Sequence, residues 1–199
     1  MPDTLRRLQT PADEPSGDTG KVSSSEEIAL KLFMFQLGGN FRNSNVELHD
    51  IRFSIGEKPE DCHADLRAQW WGDQAKLHVD CWGAVEQADG HDVTLTTDAH
   101  AATADRLFFV NLGGYDPAEF AELHRNVLIV APNADTAKTR ALALVKGWAQ
   151  PHKDKLFEVD QTLDLSNTLR HYGCFLRLTK ASEEKPFRFV ADYIRIDGA

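Results

Sequence analysis

The strongest constraint on this chain is that it repeats itself. The segment Leu32-Phe33-Met34-Phe35-Gln36-Leu37-Gly38-Gly39 returns 75 positions later as Leu107-Phe108-Phe109-Val110-Asn111-Leu112-Gly113-Gly114. The same offset carries Glu47-Leu48-His49 onto Glu122-Leu123-His124. Aligned without a gap, residues 32–49 and 107–124 are identical at 8 of 18 positions. A period of this length marks a duplicated supersecondary unit, so the fold is expected to consist of two related halves that pack on each other.

Each half reads as strand, strand, helix, strand, strand. Lys31 to Leu37 is apolar on both faces, as a buried strand is, and Gly38-Gly39 is expected to end it. His49 to Ile55 alternates, with Ile51, Phe53 and Ile55 on one face. Pro59 opens a helix whose stripe is Cys62, Leu66 and Trp70, with Asp65 and Arg67 facing water and Gly72 as its stop. Lys76 to Glu86 and His91 to Thr97 read as strands joined by a hairpin turn at Ala88-Asp89-Gly90. In the second half, Arg106 to Leu112 and Arg125 to Ala131 are the first strands. Asn133 caps a helix with the stripe Ala137, Ala141, Leu144, Val145 and Trp148. Lys155 to Asp160 is a further strand. Cys174 to Thr179 and Phe187 to Ile196 are expected to form a closing hairpin. The segment from Asp164 to Arg170 fits no simple pattern.

The fold class expected is α+β, with two internal repeats, mostly antiparallel sheet and helices packed on it. The divisions are a tail over 1–27, a first repeat over 28–100, and a second repeat with its extra C-terminal strand over 101–199. The tail mixes prolines, glycines and the Ser23-Ser24-Ser25 run with charges, and buries too little apolar surface to offset its ordering entropy. A short helix over Asp3 to Leu8 is the alternative there.

Glycine pairs after apolar strands invite comparison with phosphate loops. Neither GxxxxGK[ST] nor GxGxxG is present, so Gly38, Gly39, Gly113 and Gly114 are expected to serve a turn or a close backbone approach. Glu47/His49 and Glu122/His124 are the sharper candidates. In an extended triplet the two side chains share a face, and a carboxylate can orient an imidazole and raise its basicity. The pairs are candidate general bases or metal ligands. In the alternative reading each histidine is a partly buried anchor for its own Gly-Gly turn. His78 and Asp80, also two apart on a strand, could add ligands to a metal site or form a solvent-facing polar edge. Trp70 and Trp148 fall on core stripes. Trp71 and Trp82 do not, and are candidates for a pocket wall or interface. No GxSxG elbow is present.

A net charge of −9 argues against nucleic acid or anionic membrane as a partner. Cys62, Cys81 and Cys174 form no CxxC pair, and their odd number fits reduced thiols in a cytoplasmic protein. No cofactor is implied.

These motifs resemble the bacterial family of domain of unknown function 1543. Its unit opens with an apolar strand running into Leu-Gly-Gly, then Glu-Leu-His, an apolar strand, a helix and a Lys-(Ile/Leu)-His-(Ile/Val)-Asp strand. Leu37-Gly38-Gly39, Glu47-Leu48-His49 and Lys76-Leu77-His78-Val79-Asp80 match it. Leu112-Gly113-Gly114 and Glu122-Leu123-His124 match a second, tandem copy. That copy departs at Phe157-Glu158, where the histidine is missing. The resemblance spans about residues 31 to 180 and implies an architecture without an activity. The leading functional expectation is a non-enzymatic binding or interaction protein, with a protein partner or a second copy as binding partner. The alternatives are a small enzyme or metal-binding protein using the Glu-x-His pairs, and an acidic inhibitor of a basic protein.

Overall fold

The computed structural model describes residues 30–115, 118–144, 150–151 and 161–196. The possible helix over 3–8, the strand over 155–160, Val145, Trp148 and His152 lie outside these residues. The elements in order are β1 (Lys31–Gly39), β2 (Leu48–Gly56), a 3-10 turn (Pro59–Cys62) running into α1 (His63–Gln69), β3 (His78–Ala84), β4 (Gln87–Ala88) and β5 (His91–Thr96). They continue with β6 (Arg106–Tyr115), β7 (Glu122–Ala131), α2 (Ala134–Ala143), β8 (Gln150–Pro151) and β9 (Gln161–Asp164). The last are α3 (Leu165–Thr168), a 3-10 turn over Leu169–Tyr172, β10 (Phe175–Lys180) and β11 (Val190–Arg195). The fold is α+β, its strands are paired antiparallel, and its helices are few and short. No helix among the described residues is long and apolar enough to cross a membrane.

Three sheets result. One has the order β11-β3-β1-β2 and another β10-β5-β4. In the third, β7 lies on one edge of β6, while β8 and β9 share the other. The apolar runs of β1 and β6 are explained by burial on both faces. Phe33, Phe35 and Leu37 point outward to Cys62, Leu66 and Trp70 of the helical segment. Leu32 and Met34 point inward, together with Ile51, Phe53 and Ile55 of β2. In the other sheet Phe108, Val110 and Leu112 meet Ala137 and Ala141 of α2, while Leu107, Phe109, Leu128 and Val130 turn inward. The two inward faces meet in one core, where Phe53 and Phe109 stand edge to face at 5.3 Å between ring centroids.

Several expectations need correction. None of Gly38, Gly39, Gly113 and Gly114 has positive φ, and all four are strand residues instead of turn residues. Left-handed backbone occurs instead at Arg42, Gly173 and the Asp89-Gly90 turn, the last at φ 51° and 74°. The aspartate of that turn reaches the other sheet: Oδ2 accepts from the Val130 N–H at 2.8 Å and Oδ1 from Arg140 at 2.7 Å. The last two strands do not pair with each other. β10 pairs with β5 and β11 with β3, each satisfying the backbone groups of an edge that no other described strand takes. The helix ends at Gln69, and the chain turns extended at Trp70 without help from Gly72. Asp65 is only partly exposed and is engaged by neighbours. Its Oδ2 accepts from Ser54 at 2.6 Å, Gln69 at 2.7 Å and Tyr172 at 2.6 Å. Arg67 donates to the Ile196 carbonyl at 2.7 Å. Leu144 is exposed, whereas Asn133 caps α2 as expected, accepting from the Thr136 N–H. The segment 164–170 is the end of β9 followed by α3, with Asp164 accepting from the Asn167 N–H.

Candidate functional site

Both strand pairs carry the same register. Gly38 lies opposite His49, and Gly113 lies opposite His124. One residue pair further in, Gln36 faces Ile51 and Asn111 faces Asn126. The inward faces are thus apolar at one end and polar at the other. At the polar end they part to form an open cleft of about 680 Å³, lined by Gln36, His49, Asp50, Ile51 and Arg52 from one sheet. Phe109, Asn111, His124, Asn126 and Leu163 line it from the other. Gln36/Asn111, His49/His124 and Ile51/Asn126 are pairs at the 75-residue offset, so equivalent positions of the two sheets contribute to one cavity. The volume suits a small organic ligand. Asn111 is held by donating to the Asn126 carbonyl oxygen at 2.7 Å.

Beside the cleft, over Gly38, four side chains form a ring. The pairing of β3 with β1 slips between Gln36/Cys81 and Leu37/Val79, leaving Asp80 as the extra residue of a bulge. Bulges re-aim side chains, and this one brings both His78 and Asp80 over Gly38. A Cβ at residue 38 would fall 2.4 Å from His78 Nε2 and 2.9 Å from Asp80 Oδ2, so only glycine leaves room. His78 Nε2 stands 3.3 Å from Glu47 Oε1 and 3.3 Å from Asp80 Oδ1. His49 Nε2 stands 3.4 Å from Asp80 Oδ2 and 3.8 Å from Glu47 Oε2. Each imidazole therefore sits between the same two carboxylates.

The solvent-facing reading of His78 fails, since its side chain is 2% exposed. Tyr193, carried on the bulge of β11, covers the ring at 4.4 Å between centroids. The Nδ1–H donates to the Lys76 carbonyl at 2.9 Å, so a neutral ring presents a bare Nε2 to the cluster. That nitrogen and Asp80 Oδ2 are buried and lack a hydrogen-bond partner. The ring's contacts are electrostatic neighbours without hydrogen-bond geometry. Among the described residues, no group of three or more His, Cys, Asp or Glu side chains stands as a ready-formed metal site.

The remaining candidates fall elsewhere. His124 and Glu122 stand 3.9 Å apart across the cleft from His49's strand pair. Gly39 turns to the other face of β1, where a Cβ would meet Trp70 at 2.9 Å, and Gly114 pairs with Pro151 of β8. Trp82 is largely core, edge-on to Phe33 at 6.0 Å, whereas Trp71 is exposed, stacks on Trp70 and donates to Asp50 at 3.3 Å. The cysteines are free thiols, and burial pushes all three upward, Cys62 to about 11, which makes them poor nucleophiles. Sequence reasoning passed over Gln36, Asn111 and Asn126. The available signal was a polar residue inside an apolar strand at the same offset in both copies.

The chain resembles the crystal structure of a protein Il1583 from Idiomarina loihiensis, with 27% identity and a TM-score of 0.64. The likeness covers 85% of this chain and 99% of that one. No curated protein matches. Residues 44–95 match the model of a family described as Domain of Unknown Function (DUF1543). That matched stretch contains Glu47, His49, His78 and Asp80, while His124 lies beyond it.

Proposed function

We propose that this protein is a non-enzymatic binding protein that takes a small polar ligand in the cleft between two repeated strand pairs. The observation that carries the reading is the pairing of lining residues: His49 with His124 and Gln36 with Asn111, at one offset, around one cavity. The proposed repeats are residues 28–100 and 101–199, with 31–97 and 106–180 as superposable units in tandem. The shared Gly-opposite-His register of both strand pairs supports this. Amide side chains and imidazoles offer both donors and acceptors, while Phe109 and Leu163 give an apolar floor. The three free cysteines support a reducing, cytoplasmic setting.

The test is ligand capture. The purified full chain is incubated with a small-molecule extract, and bound compounds are compared with those on a His49→Gln/His124→Gln variant. A compound retained by the native chain and lost from the variant supports the reading. Identical retention by both overturns it. A protein partner or a second copy remains a further reading, supported by exposed Phe189, Val190 and Tyr193 on or beside edge strand β11. Sedimentation at rising concentration tests self-association.

A further inference from the structure

We infer that Glu47, His49, His78 and Asp80 bind a divalent transition-metal ion over Gly38. The site is separate from the proposed cleft ligand and shares only His49 with it.

Four observations converge. The donor set is two imidazole nitrogens and two carboxylates, which is the chemistry of zinc and its neighbours. The spacing of the inner half is right: bonds of about 2.0–2.1 Å in a tetrahedron put neighbouring donor atoms about 3.3 Å apart. His78 Nε2 stands 3.3 Å from both Glu47 Oε1 and Asp80 Oδ1, while His49 Nε2 faces the other oxygens of the same carboxylates at 3.8 and 3.4 Å. The buried member is prepared for a cation. His78 has its Nδ1–H fixed on the Lys76 carbonyl, its Nε2 lone pair free, and no hydrogen-bond partner for that nitrogen in a place almost closed to water. A backbone carbonyl on the remote nitrogen is the arrangement that orients ligating histidines elsewhere. Finally, glycine at position 38 lets the cluster close over β1, because a Cβ there would strike His78 Nε2 at 2.4 Å and Asp80 Oδ2 at 2.9 Å.

The ring becomes a ligand set by adjustment of its outer half. Glu47 and His49 have side chains 43% and 45% exposed, so rotating them to a common centre displaces only water. His78 and Asp80 are the fixed half, held by the β3 bulge. Binding neutralises the two carboxylates and gives the orphaned Nε2 and Oδ2 atoms a partner. Tyr193 then shields the ion from the β11 side.

The second copy lacks this arrangement within the described residues. Glu122 and His124 are paired, and the stretch that aligns with the His-x-Asp strand, 155–160, lies outside the described residues. The site over Gly38 accounts for one ion per chain.

The test is calorimetric titration of zinc chloride into untagged, chelator-treated full chain, with cobalt(II) absorption reporting coordination geometry. Binding of one ion per chain, with the visible bands of tetrahedral cobalt, is expected. Asp80→Asn and His49→Gln should each weaken binding at least about tenfold, while circular dichroism shows both folded. His124→Gln should bind zinc as the native chain does, although the cleft reading has it lose ligand. Absence of stoichiometric zinc binding in the native chain overturns the site. So does binding unchanged in both Asp80→Asn and His49→Gln, or binding lost in His124→Gln, which would place the ion in the cleft.

Discussion

The two strand pairs share a register but are finished differently. β1–β2 is backed by large side chains, Leu66 and Trp70, and at its polar end a bulged neighbour adds His78 and Asp80. β6–β7 is backed by Ala137 and Ala141, and at its polar end has the Glu122–His124 pair. One frame thus carries a closely packed helix and a dense cluster of charges on one side, and a lighter helix with a simpler pair on the other. The frame needs only the apolar alternation and the glycine opposite histidine. The strand laid along β1's second edge adds His78 and Asp80 to Glu47 and His49.

The contrast in backing helices has the largest expected effect. Leu66→Ala removes a fully buried side chain between α1 and β1, and should cost about 2–5 kcal/mol in urea unfolding. By contrast Leu144→Ala, at the C-cap of the second helix, should cost less than about 0.5 kcal/mol because Leu144 is 54% exposed. Equal losses at the two sites would break the comparison.

Next comes the polar network beneath α1. Asp65→Ala leaves Tyr172, Ser54 and Gln69 without their shared acceptor and should cost about 1.5–3 kcal/mol. Asp135→Ala, at an exposed site in the first turn of α2, should cost about 0.3–1 kcal/mol through the helix dipole. Thermal or urea unfolding of both variants would show whether the asymmetry holds.

A smaller effect concerns pH. Burial raises the Cys62 thiol from 9.0 to about 11, and burial followed by Asp65 pushes the Tyr172 hydroxyl up as well. The unfolded chain releases these protons earlier. The Cys62 contribution is therefore complete below about 9 and is lost as the pH climbs through about 11, and the Tyr172 contribution is lost at higher pH still. Hydrogen exchange at alkaline pH should loosen α1 and β2 before β6 and β7. Uniform loosening would show that these groups do not govern the difference.

The sequence carried much of this. Alternation in β1, β2, β6 and β7, the Asp89-Gly90 turn and the Asn133 cap are local signals, decided by residues a few positions apart. Glu47-x-His49 and His78-x-Asp80 were also legible as pairs. Their meeting was not, because it depends on a one-residue slip between β1 and β3. Asp65 was misread for a related reason. On the helix it lies beside the apolar stripe, but Tyr172, far along the chain, covers it. The closing strands were misassigned because neighbours in sequence make the cheaper loop. Here the open edges of β3 and β5 take the two strands separately.

The placement of β10 and β11 also governs the order in which the molecule can assemble. During translation, β3 and β5 leave the ribosome long before the strands that cover their edges exist. Until then the nascent chain displays two unpaired strand edges, the kind of template that recruits other chains. A polypeptide stopping before Phe175 should therefore accumulate as aggregate, and adding residues 175–196 as a separate peptide should restore soluble material. If the shortened chain is soluble and monomeric by light scattering, the edges are protected by some other route.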